Sequence, residues 1–385
     1  MGKLMPPLCY FYLLHLIFIT TFSVLMLVNS LTLDSDTQVL RLIKRAIDPN
    51  SVPVSSYLST WDITSIELDG SGYKGFITPS IANLTELTII NLSKNHFRGP
   101  IPDTISELKK LTGLSLSGNF LTGNLPKRLT ALKMLQSLDV SHNQLSGSIP
   151  PSISGLRSLT YLSMSNNGFT GRIPEISGLW QLRTLDLSRN NLYGRMPNVP
   201  LGLRKLMLSH NLLSGHLPAL NKLKRLQLLD VSDYRLSGTN TRDIFTLPNF
   251  TELKFSINTF TTLEVVRFLG PETQLQVLDA EGNKLRGHLP LNLVTLPNLT
   301  SINLSYNQFL GVILGEFRAK VEACRILYLD HNFLQGKLPQ EFILGPKTLR
   351  GSLSNNCLKC PENLPICFGG QKKISECGGQ NDTSG

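Results

Sequence analysis

The sequence predicts an α/β solenoid, a right-handed curved superhelix with a parallel sheet on its concave side. Three observations support this prediction. The pattern Leu-x-x-Leu-x-Leu-x-x-Asn recurs about twelve times between residues 63 and 347, with a period near 24. An amphipathic segment within residues 31–62 precedes the repeats, and four cysteines within residues 348–385 follow them. A fixed period of this length is typical of stacked repeats, which we expect to carry a helical N-terminal cap and a disulfide-rich C-terminal cap.

One copy of the repeat, from Leu135 to Pro150, shows what each position does. The Leu-x-Leu alternation predicts a short strand with one buried face, because side chains alternate across a strand. The following asparagine, Asn143 in this copy, would satisfy backbone groups of the turn and of the adjacent coil, since unpaired backbone groups are costly in a core. Gly147 permits backbone conformations that other residues avoid. The proline withholds an N–H, which favours an extended convex-side segment over a helix.

The stacked asparagines should form a ladder with a structural role. The ten predicted ladder residues are Asn95, Asn119, Asn143, Asn167, Asn190, Asn211, Asn258, Asn283, Asn307 and Asn332. The first repeat has Ser71 at this position and the eighth has Tyr234. The ninth repeat lacks the glycine and the proline, and the eleventh has Leu314 where the proline is expected. We expect repeats eight and nine to form a looser patch on the convex side.

The N-terminal segment has the features of a targeting sequence. Residues 1–30 combine Lys3 with an almost continuously apolar run over 8–28 and a small-residue cleavage site after Ser30, as in a signal peptide. An uncleaved membrane anchor formed by residues 8–28 is the alternative, because about 20 apolar residues can span a bilayer. Both interpretations predict that residues 31–385 are exported.

The N-terminal cap, residues 31–62, is expected to contain a helix. Asp36 can cap its first turn, and Pro49 ends it. Its apolar residues share one face: Val39, Leu40, Leu42, Ile43, Ala46 and Ile47. This helix would cover the apolar edge that an open solenoid exposes.

Four cysteines are expected to close the C-terminal end. In an exported chain, Cys357, Cys360, Cys367 and Cys377 predict two disulfides, and the sequence leaves all three pairings open. A zinc site would need a second Cys-x-x-Cys pair, which the last two cysteines do not supply. Cys324 occupies the first leucine position of the twelfth repeat, and we interpret it as a buried thiol. No metal ion or other cofactor is expected.

The formal net charge is +10. The basic residues are scattered through the repeats, so no nucleic-acid partner is expected, and an acidic wall polysaccharide or a membrane surface fits the charge better. A membrane partner is expected only if the signal segment stays uncleaved. Asn-x-Ser/Thr sequons predict N-glycosylation of an exported chain at six positions. They are Asn83, Asn91, Asn249, Asn298, Asn303 and Asn381.

The variable residues near the strand leucines should face one concave surface. The central ones form a polar and aromatic stripe on which we expect a peptide, protein or sugar to bind: Asp139, His142, Tyr161, Asp186, Arg189, Lys205, Met207, His210, Asp230 and Asp233. Catalysis is not expected. Asp139 with His142, and His210 with Asp230 or Asp233, are the nearest acid–base pairs, but nothing in the sequence marks a nucleophile, an oxyanion hole or a pocket.

The repeat unit resembles the plant extracellular type of leucine-rich-repeat protein, so the predicted superhelix is a leucine-rich-repeat superhelix. The unit from Leu135 to Pro150 carries the match, together with Asp48-Pro49 followed by Trp61 and the tail from Asn356 to Cys377. The match covers about 285 of the 385 residues. The resemblance implies a kinase-less secreted member, similar to receptor ectodomains and polygalacturonase-inhibiting proteins.

The resemblance implies a non-catalytic extracellular recognition module, in the apoplast or cell wall, that binds a protein or peptide in cell-surface signalling. A receptor ectodomain is one such partner. The alternative is an inhibitor or wall-associated protein that docks a cell-wall enzyme or an acidic polysaccharide. One departure affects stability. The family's N-terminal cap continues after its tryptophan into a cysteine pair, whereas Asp62 runs straight into Ile63 here. Because such a disulfide contributes about 2–5 kcal/mol, we expect a less stable N-terminal end.

Overall fold

The computed structural model describes residues 36–52, 63–218, 220–238, 244–265, 274–317, 324–344, 349–361 and 363–377. Within these residues, thirteen three-residue strands form one parallel inner sheet, and each strand pairs with that of the next coil. In chain order they are β1 (Ser65–Glu67), β3 (Ile89–Asn91), β5 (Gly113–Ser115), β7 (Ser137–Asp139), β9 (Tyr161–Ser163), β11 (Thr184–Asp186), β13 (Lys205–Met207), β15 (Leu228–Asp230), β17 (Glu252–Lys254), β19 (Val277–Asp279), β21 (Ser301–Asn303), β23 (Ile326–Tyr328) and β25 (Arg350–Ser352).

The inner strands form where the leucine alternation predicts them. Leu114, Leu138 and Leu162 are the central residues of β5, β7 and β9, pair in register, and are at most 2% exposed. Ser137 and Asp139 lie on the opposite face of β7 and stay partly exposed. Burial of one such leucine stabilises the fold by about 1.5–3 kcal/mol, and only the neighbouring coils supply the contacts.

A second set of strands follows the inner strands around each coil. These outer strands are β2 (Lys74–Phe76), β4 (His96–Pro100), β6 (Phe120–Gly123), β8 (Gln144–Ser148), β10 (Gly168–Arg172), β12 (Asn191–Gly194), β14 (Leu212–Gly215), β16 (Arg235–Gly238), β18 (Thr259–Phe260), β20 (Arg286–His288), β22 (Gln308–Val312), β24 (Phe333–Lys337) and β26 (Cys357–Lys359). They form a nine-stranded parallel sheet from β2 to β18 and a four-stranded one from β20 to β26.

The interruption between β18 and β20 follows the coil whose sequence lacks the glycine and the proline, in the region where the sequence predicts a looser patch. The coils stay joined across it by backbone hydrogen bonds. Lys284 N donates to Phe260 O at 2.9 Å, and Arg286 N donates to Thr261 O at 3.1 Å. The missing repeat residues therefore disturb the outer strand pairing while the stack continues.

The prolines of several repeats correct one expectation. Pro102, Pro126 and Pro150 are extended, with φ between −56° and −67°, but each stands directly before a 3-10 helix. In these coils the convex side therefore carries a short helix, because a proline at a helix start has no N–H to leave unpaired. The segments after Pro174 and Pro197 form no helix, as the sequence predicts. The 3-10 helices are Pro49–Ser51, Pro79–Asn83, Asp103–Glu107, Lys127–Ala131, Pro151–Gly155, Ile244–Thr246, Leu291–Thr295, Gly315–Phe317 and Pro365–Cys367.

The ten predicted ladder asparagines lie at equivalent positions, and each accepts a hydrogen bond at Oδ1 from a backbone amide of the preceding coil. The ladder extends one step beyond the repeats found in the sequence. Asn356 is fully buried, accepts from Leu334 N at 3.0 Å and donates to Leu329 O at 2.9 Å. A thirteenth coil, with β25 and β26, therefore follows residue 347.

The N-terminal cap contains a helical stretch over 36–45, which ends four residues before Pro49. Val39 and Ile43 are buried on the first coil, whereas Leu42 is 42% exposed, so the predicted apolar face is narrower than expected. After the helix the chain pairs with β2 through an antiparallel bridge between Ile47 and Gly75. Asp48 N also donates to Lys74 O at 2.7 Å. Main-chain hydrogen bonds to β2 thus hold the described part of this cap against the first coil.

At the C-terminal end, disulfides join Cys357 to Cys377 and Cys360 to Cys367. Cys324 is buried and belongs to neither bond. Two short α-helices, Gln340–Leu344 and Ile374–Cys377, lie on either side of β25 and β26 in the chain.

The expected leader, residues 1–30, and Trp61 lie outside the described residues. A helix with the length and hydropathy of a membrane span is not found in the part of the chain that the structure describes.

Candidate ligand-binding face

The ten residues of the predicted stripe belong to five coils that are adjacent in the inner sheet. Six of them lie on the inner strands β7, β9, β11, β13 and β15. They are Asp139, Tyr161, Asp186, Lys205, Met207 and Asp230. The other four lie on the turns that follow these strands. They are His142, Arg189, His210 and Asp233.

The last residues of these strands form a row in strict register. Asp139 pairs with Ser163, Ser163 with Asp186, Asp186 with Met207, and Met207 with Asp230. An aspartate therefore recurs at every second strand. Neighbouring strands are about 4.8 Å apart, so successive aspartates are about 10 Å apart along the sheet.

The row continues to an aspartate that the sequence analysis left out. Asp230 pairs with Lys254, which pairs with Asp279. Burial raises the pKa of the Asp279 carboxyl, and the nearby Glu281 and Asp230 carboxylates act in the same direction. The Glu281 amide, 3.3 Å from Asp279 Oδ1, and Lys254 oppose that change. We call Asp139, Asp186, Asp230 and Asp279 the aspartate row. Asp279 occupies the same position of its repeat, which is the signal that could have identified it.

The aspartates also hold the turns that follow them. Asp139 Oδ1 accepts from the Ser141 amide at 3.0 Å and from its hydroxyl at 2.6 Å, and Asp186 makes the same two bonds with Ser188. Asp230 accepts from the Ser232 amide at 3.1 Å. These bonds fix each carboxylate in one orientation and occupy one oxygen, Oδ1. The arrangement is thus preorganised to accept hydrogen bonds from a cation at Oδ2.

Tyr161 and Lys205 begin their strands, at the opposite end from the aspartates. Tyr161 lies on β9, between the strands of Asp139 and Asp186. Burial raises the pKa of the Tyr161 phenol, and the Asp139 and Asp186 carboxylates add to this effect, against a hydrogen bond with Ser163. The phenol is therefore a neutral donor that a ligand's carbonyl or carboxylate can reach, because its side chain remains 37% exposed.

The four turn residues lie just beyond the inner strands and not on them. His142, Arg189, His210 and Asp233 each precede the ladder position and have φ between 52° and 58°. This left-handed conformation places them on the rim where the inner strands end. His210 Nδ1 lies 2.7 Å from Asp233 Oδ2, and His142 Nε2 lies 3.4 Å from Asn166 Nδ2.

Only one of the acid–base pairs considered from sequence is in contact, His210 with Asp233, and both side chains are 40% or more exposed. Asp139 bonds Ser141 and Asp230 bonds Ser232, so neither orients a histidine. Among the described residues no three His, Cys, Asp or Glu side chains gather as metal ligands. The absence of catalysis, metal and cofactor stays a prediction.

Two stacked aromatic side chains near the C-terminal end were not predicted from the sequence. The rings of Tyr306 and His331 stack with centroids 3.9 Å apart. His331 also contacts Asp330 through Nδ1 at 2.8 Å and Asn355 through Nε2 at 3.1 Å. Tyr306 and His331 occupy the same turn position as His142 and His210, and that shared position is a signal the sequence carries.

Five of the six sequons fall on described residues, and Asn381 lies outside them. Asn83 and Asn249 are exposed. Asn91, Asn298 and Asn303 are half-buried, and Asn91 and Asn303 each accept from the serine of their own sequon, Ser93 or Ser305. Glycosylation at these positions stays a prediction.

Family models match several repeats. The model described as two copies of leucine-rich repeats matches residues 157–199, and the single leucine-rich-repeat model matches residues 86–108, 134–156 and 298–319. No curated protein sequence gave a match.

Solved structures of plant receptors are similar in fold. The PEPR1–AtPEP1 structure is 27% identical with a TM-score of 0.72, over 84% of this chain and 52% of that one. The plant peptide hormone receptor RGFR1 with RGF2 is 29% identical with a TM-score of 0.67, over 80% and 55%. The Arabidopsis receptor kinase HAESA, with the peptide hormone IDA and the co-receptor SERK1, is 27% identical with a TM-score of 0.65, over 78% and 59%.

This chain thus spans between half and three-fifths of those receptor chains. The repeat matches, the parallel coils and the asparagine ladder agree with one another. The chain contains leucine-rich repeats at the matched residues, and its solenoid shares its fold with the PEPR1, RGFR1 and HAESA receptor structures.

Proposed function

We propose that this protein is a non-catalytic extracellular recognition module that binds an extended peptide or protein segment along its inner face. The aspartate row is the observation that carries the proposal. The similar PEPR1, RGFR1 and HAESA structures are complexes with AtPEP1, RGF2 and the peptide hormone IDA, which supports a peptide as the class of ligand.

The spacing of the aspartate row suggests which peptide would fit. A peptide in the extended polyproline II conformation has three residues per turn and rises about 3.1 Å per residue, so side chains three residues apart lie on one face and are about 9 Å apart. Basic residues at positions i, i+3 and i+6 would therefore meet Asp139, Asp186 and Asp230 in turn. Lys254 lies beyond Asp230 in the row, where it already pairs with Glu252 at 3.0 Å, and it can also meet an acidic group of the peptide. Tyr161 and Lys205 can donate to carbonyl groups along the other side of the peptide.

The proposal can be tested with a randomised library of synthetic nonapeptides passed over the immobilised whole chain. Retained peptides should be enriched in lysine or arginine at three-residue spacing. The double variant Asp139→Asn/Asp186→Asn keeps side-chain shape and should weaken binding of a retained peptide about tenfold, since it removes two charged contacts.

The matched control is Asp103→Asn/Glu107→Gln, which removes two acids from an exposed convex helix and should change the affinity less than about twofold. The proposal would be wrong if no peptide were retained, if basic residues showed no spacing preference, or if both double variants bound equally well.

We propose further that the chain is secreted to the apoplast or cell wall after cleavage following Ser30, with anchorage through residues 8–28 as the alternative. N-terminal sequencing of protein from the culture medium should begin at Leu31. Protein found only in the membrane fraction, with Met1 retained, would support the anchored form instead.

The alternative role as an inhibitor or wall-associated protein that docks a cell-wall enzyme would also use a leucine-rich-repeat surface. A pull-down from wall extract separates the two roles. Capture of a wall hydrolase with loss of its activity supports the inhibitor role, and capture of a receptor ectodomain supports signalling.

A further inference from the structure

Folding gathers basic residues that are scattered in the sequence onto one edge of the solenoid. Just before each inner strand, at the end opposite the aspartate row, the middle coils carry a line of cations. We call it the basic edge, and its members are Lys109, Lys133, Arg157, Arg183, Arg204, Lys224 and Arg225. Arg183 is half-buried and the other six are exposed.

Backbone hydrogen bonds place the coils of this edge next to one another. Arg183 N donates to Thr160 O, Arg204 N to Arg183 O, and Gln227 N to Arg204 O, each at 2.8 Å. The Lys133 ammonium reaches Gly155 O in the next coil at 3.3 Å. Two positions of the repeat contribute to the edge. Arg183 and Arg204 directly precede their strands, whereas Lys109, Lys133, Arg157 and Lys224 stand four residues before theirs. Each coil from β5 to β15 thus supplies at least one cation, and neighbouring coils are about 4.8 Å apart.

The positive charges of the basic edge are not neutralised by the salt bridges found among the described residues. None of the salt bridges found among the described residues involves its seven members, whereas Lys110, in an adjacent column, pairs with Glu86 at 2.5 Å. Residues 172–238 carry ten lysines and arginines but only four acids. Three of these acids, Asp186, Asp230 and Asp233, lie at or beyond the other end of the inner strands. A polyanion would meet a linear field of uncompensated positive charge.

Two large apolar side chains interrupt the cations. Trp180 is 61% exposed and Leu201 is 62% exposed, in the coils that contribute Arg183 and Arg204. Tryptophan combines a flat apolar face with a polar N–H, which suits it to surfaces that bind a ligand. Beyond Arg225 the edge carries the sequon Asn249, whose side chain donates to Lys224 O at 3.0 Å. A glycan at Asn249 would mark the C-terminal limit of the basic edge.

We propose that the basic edge binds a linear polyuronate, an acidic polysaccharide with one carboxylate per sugar unit. The step between coils is close to the length of one pyranose unit, so successive carboxylates can meet successive cations. Trp180 offers a face on which a sugar ring can lie. This surface is separate from the aspartate row, and the chain can bind a polyuronate whether or not it binds a peptide.

Binding of polygalacturonate to the immobilised whole chain tests this proposal. Expected are binding that weakens steeply between low and physiological salt, and no binding of fully methyl-esterified polygalacturonate, which has lost its charge. The triple variant Arg204→Glu/Lys224→Glu/Arg225→Glu should weaken binding by at least about tenfold.

The matched control is Arg172→Glu/Arg195→Glu/Arg235→Glu, which makes the same change in net charge at exposed positions on or directly after the outer strands β10, β12 and β16. It should weaken binding less than about threefold. If the first triple variant unfolds at a lower temperature than the wild type, the corresponding glutamine triple variant replaces it.

Binding of poly-L-glutamate, an acidic polymer without sugar rings, shows whether the edge prefers an acidic polysaccharide or an acidic protein. The substitution Trp180→Ala should weaken polygalacturonate binding several-fold and leave poly-L-glutamate binding unchanged. The proposal is overturned if the esterified polymer binds equally well, if both triple variants lose equal affinity, or if poly-L-glutamate binds more tightly than polygalacturonate. These outcomes leave the aspartate row untouched, so failure here is distinct from failure of the peptide proposal.

Discussion

Asn119 Oδ1 accepts a hydrogen bond from Phe97 N of the preceding coil at 2.9 Å. Its Nδ2 donates to Leu92 O, also of the preceding coil, at 2.9 Å and to Leu116 O of its own coil at 3.0 Å. One buried side chain therefore satisfies backbone groups of two coils. The same arrangement recurs along the ladder, and it joins the coils where the leucine rows alone would leave polar groups buried without partners.

Replacement of Asn119 by alanine should lower the free energy of unfolding by about 3 kcal/mol. The change removes bonds from at least one buried amide and one buried carbonyl, and each such loss costs about 1–3 kcal/mol. Urea unfolding followed by circular dichroism measures the effect. Gln144→Ala, at an exposed position of β8, is the control and should change the free energy by less than about 0.5 kcal/mol. Equal effects of the two substitutions would contradict a structural ladder.

Gly75→Ala should release the N-terminal cap. A Cβ at Gly75 would overlap Ala46 O and approach Ile47 Cα to 2.9 Å, and the residue has φ of +152°. We expect a loss of about 2–3 kcal/mol and faster proteolysis near residues 36–47. Gly315→Ala is the control, because a Cβ there meets nothing within 4 Å. An unchanged cleavage rate in Gly75→Ala would show that the bridge between Ile47 and Gly75 does not hold the cap.

Alkaline pH should destabilise the fold through Tyr234. Burial raises the pKa of this phenol well above its ordinary value. The side chain is 6% exposed beside Asn211, and its hydroxyl has no hydrogen-bond partner among the described residues. In the unfolded chain a tyrosine titrates near pH 10. The unfolded state therefore loses a proton that the folded state keeps, and stability falls above about pH 10 by up to ~1.4 kcal/mol per pH unit.

Tyr234→Phe should reduce that dependence and leave the unfolding free energy at pH 7 within about 1 kcal/mol of the wild type. Urea midpoints at pH 7, 10 and 11 provide the comparison. Tyr193→Phe, at a 50% exposed tyrosine, should leave the pH dependence unchanged. Parallel pH curves for the wild type and Tyr234→Phe would show that another group controls alkaline unfolding.

The two disulfides should differ in their effect on stability. Cys357 and Cys377 are separated by 20 residues, and Cys360 and Cys367 by 7. Because a longer closed loop restricts the unfolded chain more, the double variant Cys357→Ser/Cys377→Ser should lose about 3 kcal/mol and Cys360→Ser/Cys367→Ser somewhat less. Thermal unfolding of both variants gives the order. Peptide mapping without reduction checks the pairing, and linkage of Cys357 to Cys360 would refute it.

The repeated elements were predictable because their signal is local and periodic. Leu114 and Leu138 could be recognised as strand centres by spacing alone, and the asparagines followed from the same period. The thirteenth coil escaped because Gly351 stands at the central strand position, which breaks the leucine pattern before Asn356. Gly351 approaches Leu327 O too closely for any side chain. That requirement depends on the neighbouring coil and is invisible along the chain.

The candidate surfaces also depend on contacts between coils, which the sequence alone does not show. Asp139 and Asp186 were identifiable as strand positions, and the same repeat position could also have identified Asp279. The separation of about 10 Å between Asp139 and Asp186 follows only when the register of the strands is known. The basic edge is harder to predict, because Lys133, Arg183 and Lys224 are far apart in sequence and become neighbours through stacking. The turn conformation of His142 and His210 depends on hydrogen bonds to the next coil, from His142 N to Ser165 O at 2.8 Å and from His210 N to Ser232 O at 3.0 Å.

Hydroxyl-radical footprinting of the whole chain with a library-selected peptide tests the central claim most directly, because it reads side-chain exposure on every face at once. Tyr161, Met207 and His210 should be protected by the peptide. Met207 lies in the row between Asp186 and Asp230, and Tyr161 and His210 lie on either side of that row. Met134 and Tyr193, which are 52% and 50% exposed away from that row, should be oxidised at the same rate with and without the peptide. Protection of Tyr193 or Met134, with Tyr161 and Met207 unchanged, would contradict binding along the inner face.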